Sequence, residues 1–539
     1  MLTSLNLAKI HLHSTNLYKS LEKETEQPTG FHETGSLRLA YTKEDLEWFD
    51  YTKGILDIAG SPCSIISTEE IHQYHPFIKL DGIKGAFLTP EDGYTDPTST
   101  TNAMAKGARN GGAKIYRKNR VTDIEQLPSG EWKVITEKGD IVCEHVVNAA
   151  GSFCPEVAQM VGLKNVPSIN MIHQYLVTEA HPEIEKLSKE LPVVRDPDSS
   201  SYLRQEGKGL LIGPYEKDVA AWALDGMDWK FDMELLDPDL DRIAEHLEKG
   251  MDRIPQFKDV GIKRIICGPI THTPDDNFLA GPAPGLKNFW MFCAASIGIA
   301  HGGGAGKYMA QWIVHGDSEI NMMEFEPRRY MSWVDKNYSV EKSKEQYRRM
   351  YVTPMPNDVV EVGRPMKTTP IYQKLKEKGA EYFDLYGWEK PAWFNKDNTK
   401  EELSYRGGFG VVLHAEDWEG PVAHACHRVV VEVEVRDLEV LGHGRAVHRV
   451  GVVLGADLHP ARGLVAHRVV RAVVAEGHLE GPRPEHDRED LVAEADAEDR
   501  LHLHQLTGRL DDARHGGRVT RPVRQEDPVG LQREDLGRG

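Results

Sequence analysis

The amino-acid alphabet of this chain changes at Tyr405, and the change limits how much of its 539 residues can form an ordinary globular core. Up to that point all residue types occur in normal globular proportions. Beyond it Ser, Tyr, Lys, Ile and Met are absent, and half of the 24 histidines fall in this last quarter of the chain. Such a narrow range of residue types is typical of a GC-rich gene that is translated in a frame other than its coding frame. We therefore expect residues 407–539 to be an unrelated, disordered tail and assign them no function.

Charge and cysteine spacing exclude several classes of protein. The net charge is -19 and no polybasic run is present, which disfavours a nucleic-acid-binding surface. The six cysteines form no C-x-x-C pair and the histidines lack the fixed spacing of a metal site. No targeting signal is evident, and the richest apolar stretch, 289–300, is shorter than the roughly 20 residues that cross a bilayer. We expect a soluble protein of the cytoplasm, or of the mitochondrial matrix in a eukaryote, without a metal, nucleic-acid or membrane partner.

Alternating helical and strand patterns in the first 400 residues predict a mixed α/β fold. Residues 239–251 place apolar side chains on one helical face, and residues 130–151 give a hairpin that leads into an apolar strand. The other expected elements are a helix at 14–26, a strand at 30–40, a helix ended by Gly111-Gly112 and then a strand within 98–124, and a strand, a glycine-rich turn and a helix within 288–316.

The sequence contains no standard phosphate-binding loop. A dinucleotide site normally begins with G-x-G-x-x-G between a strand and a helix, and here Gly207-x-Gly209 is followed by Ile212 where glycine is required. The segment HGGGAGK (301–307) also departs from the P-loop pattern. Two segments do offer unhindered backbone beside a cofactor, VVNAAG (146–151) and SIGIAHGGGAGK (296–307). Each is also consistent with a purely structural role, as a buried strand end or a tight packing turn.

Nine segments occur here in the same order as in one enzyme family. They are GFHETGSLRLA (30–40), FLTPEDGYTDP (87–97), VVNAAG (146–151), HQYLVTE (173–179), SYLRQEGKGLLIGPYE (201–216), GPITHTPD (268–275), AHGGGAGKYMAQWIVHG (300–316), GRPMKTTPIYQKL (363–375) and GWEKPAWF (387–394). By these segments the chain resembles the dimethylglycine and sarcosine dehydrogenase family. The resemblance implies an FAD-dependent oxidoreductase fold of the D-amino-acid-oxidase type, a small central domain and an aminomethyltransferase-like domain that handles tetrahydrofolate.

The resemblance also implies domain limits and missing parts. The FAD domain is expected at 1–320, the central domain at 321–385 and the start of the aminomethyltransferase-like domain at 386–406. Met1 corresponds to a point inside the family's FAD domain, so the first βαβ unit and the histidine that some members link to FAD have no counterpart here, and we expect an upstream reading frame to encode them. FAD is therefore expected to bind weakly or not at all. Because residues 404–410 leave the family pattern, a tetrahydrofolate site is not expected.

The chemistry implied by the family is oxidation of an N-methyl amine, such as dimethylglycine or sarcosine, by hydride transfer to the flavin. His173 and Tyr202 fall where the family has a His/Tyr pair, and we expect them to be catalytic. A histidine there can hold the proton or favour the deprotonated amine, because its ordinary pKa lies near neutrality, and a tyrosine hydroxyl can complete the hydrogen-bond network. Without the family, His173 is more often a structural residue. Arg204 could clamp a substrate carboxylate, although a structural ion pair is the more common role.

The resemblance also assigns cofactor contacts. The expected FAD-binding residues are Val121, Ala150, Gly151, Phe153, Ala295, Ser296, Ile297, Gly298, Ile299 and Ala300. Two alternatives to an active enzyme stay open. One is a non-catalytic binding protein, since a regulatory subunit of pyruvate dehydrogenase phosphatase shares this architecture, and the other is an inactive fragment. The His/Tyr pair favours the enzyme, and the electron acceptor is left open.

Overall fold

The structure is a computed structural model, which describes residues 4–395 apart from 233, 331, 332, 357 and 359, together with Tyr405 and three strands between 433 and 474. The chain divides into two compact units, Met1–His414 and Ala415–Gly539. All of the predicted site residues lie in the first unit.

The first unit alternates helices and strands along the chain. Its helices are α1 (Leu5–Thr25), α2 (Lys43–Ala59), α3 (Thr68–Tyr74), α4 (Pro97–Asn110), α5 (Cys154–Met160), α6 (Pro182–Glu185), α7 (Leu240–Arg253), α8 (Gly298–His315), α9 (Lys336–Arg348) and α10 (Tyr372–Lys376). Its strands are β1 (Ser36–Ala40), β2 (Ser64–Ile66), β3 (Gly85–Thr89), β4 (Val121–Gln126), β5 (Trp132–Thr136), β6 (Ile141–Cys143), β7 (Val146–Asn148), β8 (Ile169–Thr178), β9 (Val193–Asp196), β10 (Ser201–Glu206), β11 (Gly209–Pro214), β12 (Ala221–Trp222), β13 (Ile262–His272), β14 (Leu279–Pro282), β15 (Phe289–Cys293), β16 (Ala380–Leu385) and β17 (Trp388–Phe394).

Nine of these strands form the central sheet. Their order is β12-β8-β11-β10-β9-β1-β3-β2, with β13 paired along β8. Side chains alternate across a strand, so Leu176 of β8 packs with Ile243 of α7, whereas Met171 of β8 packs with Val340 of α9. One face of the sheet is therefore covered by α7. The other face carries a second cluster beneath α9, and this face holds the candidate site.

A second, three-stranded sheet has the order β14-β15-β7, in which β7 and β15 run parallel. A short 3-10 turn, Gly151–Phe153, and α5 follow the end of β7, and α8 follows the end of β15. Because the carboxyl ends of parallel strands meet at one edge, the segments after Asn148 and Cys293 lie side by side. In α/β sheets this edge is the usual place for a ligand.

Helix α8 packs closely against α1, and its glycines make this possible. Gly303 and Gly304 are buried, and a Cβ at Gly304 would overlap the carbonyl oxygen of Ile10. The backbone amide of Gly304 donates to Ser14 Oγ at 2.8 Å, and that of Gly303 donates to the Tyr18 hydroxyl at 3.1 Å. The expected glycine-rich turn is therefore wrong. These glycines lie inside the helix, where the absence of side chains lets two helices approach.

The remaining patterns agree with the structure to different degrees. The mixed α/β class is confirmed, and α7 begins after Asp239, whose side chain accepts from the Arg242 amide. Helix α4 ends at Asn110, next to the predicted Gly111 stop. Helix α1 begins at Leu5, well before the expected residue 14, because Ser4 caps it and accepts from the Leu7 amide.

In the second unit, β18 (Val433–Val435), β19 (His448–Leu454) and β20 (Arg468–Val474) form an antiparallel sheet in that order. The rest of the predicted disordered tail lies outside the described residues. Across the part of the chain that the structure describes, no helix is both long and apolar enough to cross a membrane.

Candidate functional site

The structure brings His173 and Tyr202 together on the face of the central sheet that lies beneath α9. His173 belongs to β8 and Tyr202 to β10, with β11 between them. His173 Nε2 lies 3.1 Å from the Tyr202 hydroxyl. Tyr202 can lie across β11 because its cross-strand partner is Gly213, where a Cβ would overlap the tyrosine ring. The two residues assigned to catalysis are thus direct hydrogen-bond partners.

The hydrogen bonds continue from His173 into the core. His173 Nδ1 lies 2.9 Å from the Tyr347 hydroxyl, and this hydroxyl donates to Glu216 Oε2 at 2.7 Å. Glu216 Oε1 accepts from Arg242 Nε at 2.8 Å in an ion pair. Tyr347 comes from α9, Glu216 follows β11 and Arg242 lies on α7. The histidine ring is therefore held by Tyr347, and Tyr347 is held in turn by the ion pair of Glu216 and Arg242.

Burial decides the protonation of this cluster. It lowers the pKa of His173 to about 3, with the charges of His272 and Arg242 as lesser causes. Burial also raises the pKa of Tyr202 and, together with the charge of Glu216, raises that of Tyr347 well above its ordinary value. We expected a histidine that titrates near neutrality, and the structure instead gives a neutral imidazole between two protonated tyrosines.

Open space adjoins this pair on the same face. Gly268 of β13 is the cross-strand partner of His173, so the two share a face, and a Cβ at Gly268 would meet no atom within 4 Å. Tyr215 closes another side, with its ring centroid 4.7 Å from that of His173. A small molecule placed beside Gly268 would therefore lie on the same face of the sheet as the histidine ring and the Tyr202 hydroxyl.

Arg204 and Arg195 both lie on this face, and their surroundings differ. Arg204 pairs with Glu206 at 2.7 Å and stacks on the Tyr94 ring at 4.3 Å. These contacts fit a structural ion pair better than a clamp for a substrate carboxylate. Arg195 of β9 lies opposite Tyr202, its side chain is 46% exposed, and its ion pair with Asp92 spans 3.8 Å. Arg195 is therefore the better placed of the two to bind a carboxylate.

The predicted FAD-binding residues fall into two groups around the ends of β7 and β15. Ala150 and Gly151 directly follow β7, and Gly151 has a φ of 56° with open space where a Cβ would be. Phe153 stacks on Trp229 with ring centroids 5.2 Å apart. Val121, at the start of β4, packs against the apolar cluster beneath α5. Ala150, Gly151 and Phe153 thus lie directly after β7, and Val121 lies against the cluster beneath α5.

The second group is the start of α8. Residues Ala295 to Ala300 run from the end of β15 into the first turn, which begins at Gly298 without a side-chain cap. Ile297 and Gly298 are exposed, and a Cβ at Gly298 would meet nothing within 4 Å. Ser296 Oγ is buried without a hydrogen-bond partner among the described residues. An unsatisfied hydroxyl beside free helix amides fits a polar, electron-accepting ring such as that of a flavin.

The described residues also contain a cavity that lies apart from this site. A cavity of about 340 Å³ lies between residues 162–167 and β14, and it contains none of the predicted site residues. No group of three or more His, Cys, Asp or Glu side chains in the described part of the chain is arranged to hold a metal ion.

Comparison with known proteins decides the family. A model of the "FAD dependent oxidoreductase" family matches residues 2–312, and a model of the "FAD dependent oxidoreductase central domain" matches residues 315–369. The chain belongs to the FAD-dependent oxidoreductase family. The fold class implied by the sequence resemblance is thereby confirmed.

Curated relatives agree with the resemblance. The chain is 39% identical over 444 residues to a mitochondrial dimethylglycine dehydrogenase from Rattus norvegicus, covering 81% of this chain and 51% of the relative. It is 34% identical to a mitochondrial sarcosine dehydrogenase from Mus musculus, covering 74% and 44%. It is 29% identical to a pyruvate dehydrogenase phosphatase regulatory subunit from Mus musculus, covering 74% and 45%. The chain spans about half the length of these relatives.

Solved structures show the same fold. The L-proline dehydrogenase from P. horikoshii superposes with a TM-score of 0.52 at 25% identity, covering 60% of this chain and 82% of that one. The glycine oxidase from Geobacillus kaustophilus gives a TM-score of 0.50 at 19% identity, covering 62% and 85%.

The sequence missed three residues that the structure places in the cluster. Tyr347 and Arg242 lie outside the nine family segments, and Glu216 ends one of them without having been singled out. Only the fold joins the three residues to His173. One sequence signal was available, because Glu216 comes shortly after the apolar segment GLLIGP. In the structure its side chain is fully buried. A carboxylate in that position needs a partner.

Proposed function

We propose that this chain oxidises an N-methyl amino acid, such as dimethylglycine or sarcosine, by hydride transfer to FAD. The observation that carries the proposal is the hydrogen-bonded pair of His173 and Tyr202 beside open space on the sheet face. Relatives named as dimethylglycine and sarcosine dehydrogenases support the substrate class. The pair supports an oxidising site more directly than the binding-protein alternative, because a non-catalytic relative has no need for it.

The charges on this face favour the reactive form of the substrate. An amine must be neutral to lose hydride, since its lone pair stabilises the iminium product. His173 is neutral, the tyrosines keep their protons, and Arg195 adds a positive charge. A positive neighbour disfavours an ammonium ion and attracts a carboxylate. The site is therefore suited to a substrate that binds as an anion with a neutral nitrogen.

FAD, when bound, supplies the electron-accepting ring. The residues proposed to hold it are the segment Ala295 to Ala300, with the Ser296 hydroxyl and the first amides of α8, and the strand end at Ala150 and Gly151. The start of a helix favours negative charge, so it would stabilise a ring that has gained electrons. Water exclusion falls to the aromatic side chains that surround His173.

We further propose that FAD affinity is low and that binding is non-covalent. No G-x-G-x-x-G is present in this sequence, and aligned amides at such a turn normally carry much of the pyrophosphate binding. Titration with FAD, followed by flavin fluorescence, should give a weak and reversible complex. Flavin that survives acid precipitation of the protein would contradict this. The compartment proposed is the mitochondrial matrix or the cytoplasm, and no tetrahydrofolate site is proposed.

The proposed function is tested by turnover with added FAD and an artificial electron acceptor. Dimethylglycine and sarcosine should each lose one methyl group, and glycine betaine, which has no nitrogen lone pair, should be inert. Protein that binds FAD yet leaves both N-methyl amino acids intact would refute the proposal and favour the non-catalytic alternative.

A further inference from the structure

One chain of hydrogen bonds leads from the open face of the sheet to a buried ion pair. It runs from Tyr202 to His173, then to Tyr347, Glu216 and Arg242, with heavy-atom distances of 3.1, 2.9, 2.7 and 2.8 Å. Glu216 and Tyr347 are fully buried, and His173 is 9% exposed. Within the described part of the protein, the two tyrosine hydroxyls are the hydrogen-bond partners of the two ring nitrogens.

Glu216, at the buried end of the chain of hydrogen bonds, determines which atom donates in each of them. A carboxylate in an ion pair has no proton to donate and can only accept. Tyr347 keeps its proton, because burial and the charge of Glu216 raise its pKa, and its hydroxyl donates to Glu216. The Tyr347 oxygen is then left with lone pairs toward His173. The ring must therefore present Nδ1–H to it.

The direction of the hydrogen bond between His173 and Tyr202 is fixed in turn. A neutral imidazole carries one N–H, so with Nδ1 protonated the other nitrogen, Nε2, is an acceptor. Its partner is the Tyr202 hydroxyl, which keeps its proton and donates it to Nε2. The Tyr202 oxygen then offers only lone pairs to a ligand on this face of the sheet.

We propose that Glu216, acting through Tyr347, fixes the Nδ1–H tautomer of His173 and thereby stops Tyr202 from donating a hydrogen bond to the substrate nitrogen. This inference rests on the proposed function. As hydride leaves the methyl carbon with its electron pair, the nitrogen lone pair forms the new C=N bond. A hydroxyl that donated to that lone pair would hold it back. Glu216 and Tyr347 are in this sense positioning residues.

Other groups around the ring do not compete for its nitrogens. His272 is fully buried with Asp276 Oδ1 2.8 Å from its Nδ1, and its ring meets that of Tyr347 in an edge-to-face contact with centroids 5.4 Å apart. The rings of Tyr215 and His173 are tilted by 36°, with their centroids 4.7 Å apart, and no hydrogen bond joins the two side chains in the described residues. Arg242 also contacts the Ile172 carbonyl at 3.3 Å, which keeps its charge beside Glu216. The tautomer is therefore controlled through Tyr347.

The tautomer can be measured without activity. Nitrogen shifts of the full chain labelled with ¹⁵N-histidine, with His173 assigned from the spectrum of His173→Gln, report which ring nitrogen carries the proton. The parent should show Nδ1–H, and Tyr347→Phe should lose it. Tyr351→Phe is the matched control, since Tyr351 packs in the same cluster but outside the chain of hydrogen bonds, and it should keep the parental tautomer. A parent with Nε2–H, or a Tyr347→Phe variant with unchanged shifts, would overturn the proposal.

Kinetics supply the second readout. Tyr347→Phe should slow flavin reduction by dimethylglycine roughly tenfold, the effect of about one buried hydrogen bond, while the Kd for the amine stays equal or falls. An unchanged rate beside a loss of thermal stability would mean that the chain is only structural. If Tyr347→Phe does not fold, the double variant Glu216→Leu with Arg242→Met takes its place. It removes the acceptor together with its ion-pair partner, so the Tyr347 hydroxyl is free to donate to Nδ1 and the Nδ1–H form should be lost. A parent that oxidises no amine would defeat the proposed function, and the nitrogen shifts would still decide this inference.

Discussion

His173 shows how burial redirects the role of a residue. Its ring lies between the hydroxyls of Tyr202 and Tyr347, and burial lowers its pKa to about 3. A histidine of that pKa cannot hold a proton taken from an amine, whose ordinary pKa is much higher. It can hold the Tyr202 hydroxyl in one orientation, and we infer that this is its part in the reaction.

Arg195 is expected to select substrates that carry a carboxylate. Arg195→Met should raise the KM for dimethylglycine about tenfold or more, because an ion pair with the substrate is lost. The rate at saturating substrate should change less, since the carboxylate is remote from the bond that breaks. Turnover as a function of dimethylglycine concentration measures both quantities.

Arg204→Met is the control for that variant. It removes an arginine from the same face, but one already paired with Glu206 and stacked on Tyr94. Its effect on KM should be small. Equal effects of the two substitutions, or an unchanged KM in Arg195→Met, would show that Arg195 does not bind the carboxylate.

At the scale of elements, the contact between α1 and α8 depends on glycine. Gly304→Ala should destabilise the protein by about 1–3 kcal/mol, because the new Cβ would overlap the Ile10 carbonyl of the facing helix. It should also weaken FAD binding, since α8 carries the proposed contacts at its first turn. Urea unfolding followed by circular dichroism gives the change in stability.

Gly306→Ala provides a matched comparison within the same helix. A Cβ there would meet nothing within 4 Å, so the substitution should be neutral or stabilising by up to about 1 kcal/mol through helix propensity. If both alanine variants had equal stability, close helix packing would not be the reason for the buried glycines.

The sequence predicted those elements whose signals are local. Asp239 and the apolar spacing behind it predicted α7, and Gly111 marked the end of α4. The glycines of α8 were misassigned to a turn, because the same residues that permit a turn also permit a close helix contact. Only the facing residue, Ile10, distinguishes the two, and it lies almost 300 positions away.

The candidate site was predictable in the same uneven way. His173 and Tyr202 came from a family resemblance, and the structure joins them. Tyr347 and Glu216 could not be found, since a tyrosine on a polar helix and a carboxylate after a strand have no pattern of their own. Their contacts with His173 depend on how α9 lies against the sheet.

For the whole molecule, buried neutral histidines predict sensitivity to mild acid. Burial lowers the pKa values of His11, His75 and His173 to about 3 each. In the unfolded chain they titrate near 6.5, so between about pH 6.5 and 3 the unfolded state binds more protons and stability falls as the pH falls. Each contributes at most about 1.4 kcal/mol per pH unit. Urea midpoints at several pH values between 7 and 5 measure this.

His75→Leu is the control for the acid effect. His75 lies away from the candidate site, at the end of α3, and its removal should make the decline with pH shallower without altering the site. A free energy of unfolding that stays constant from pH 7 to 5 in the parent would contradict the assignment of neutral buried histidines.

The proposed oxidation of an amine on the sheet face formed by His173 and Tyr202 is tested most directly by anaerobic reduction of added FAD by dimethylglycine. We expect the flavin absorption of the parent protein to bleach. The rate of bleaching should rise with pH as the amine loses its proton, without a separate inflection near pH 6.5 from His173. His173→Ala and Tyr202→Phe should both slow the bleaching, His173→Ala more strongly, because it frees the Tyr202 hydroxyl to donate to the amine. Bound flavin that dithionite bleaches but dimethylglycine does not, or variants that reduce it at the parental rate, would contradict the claim.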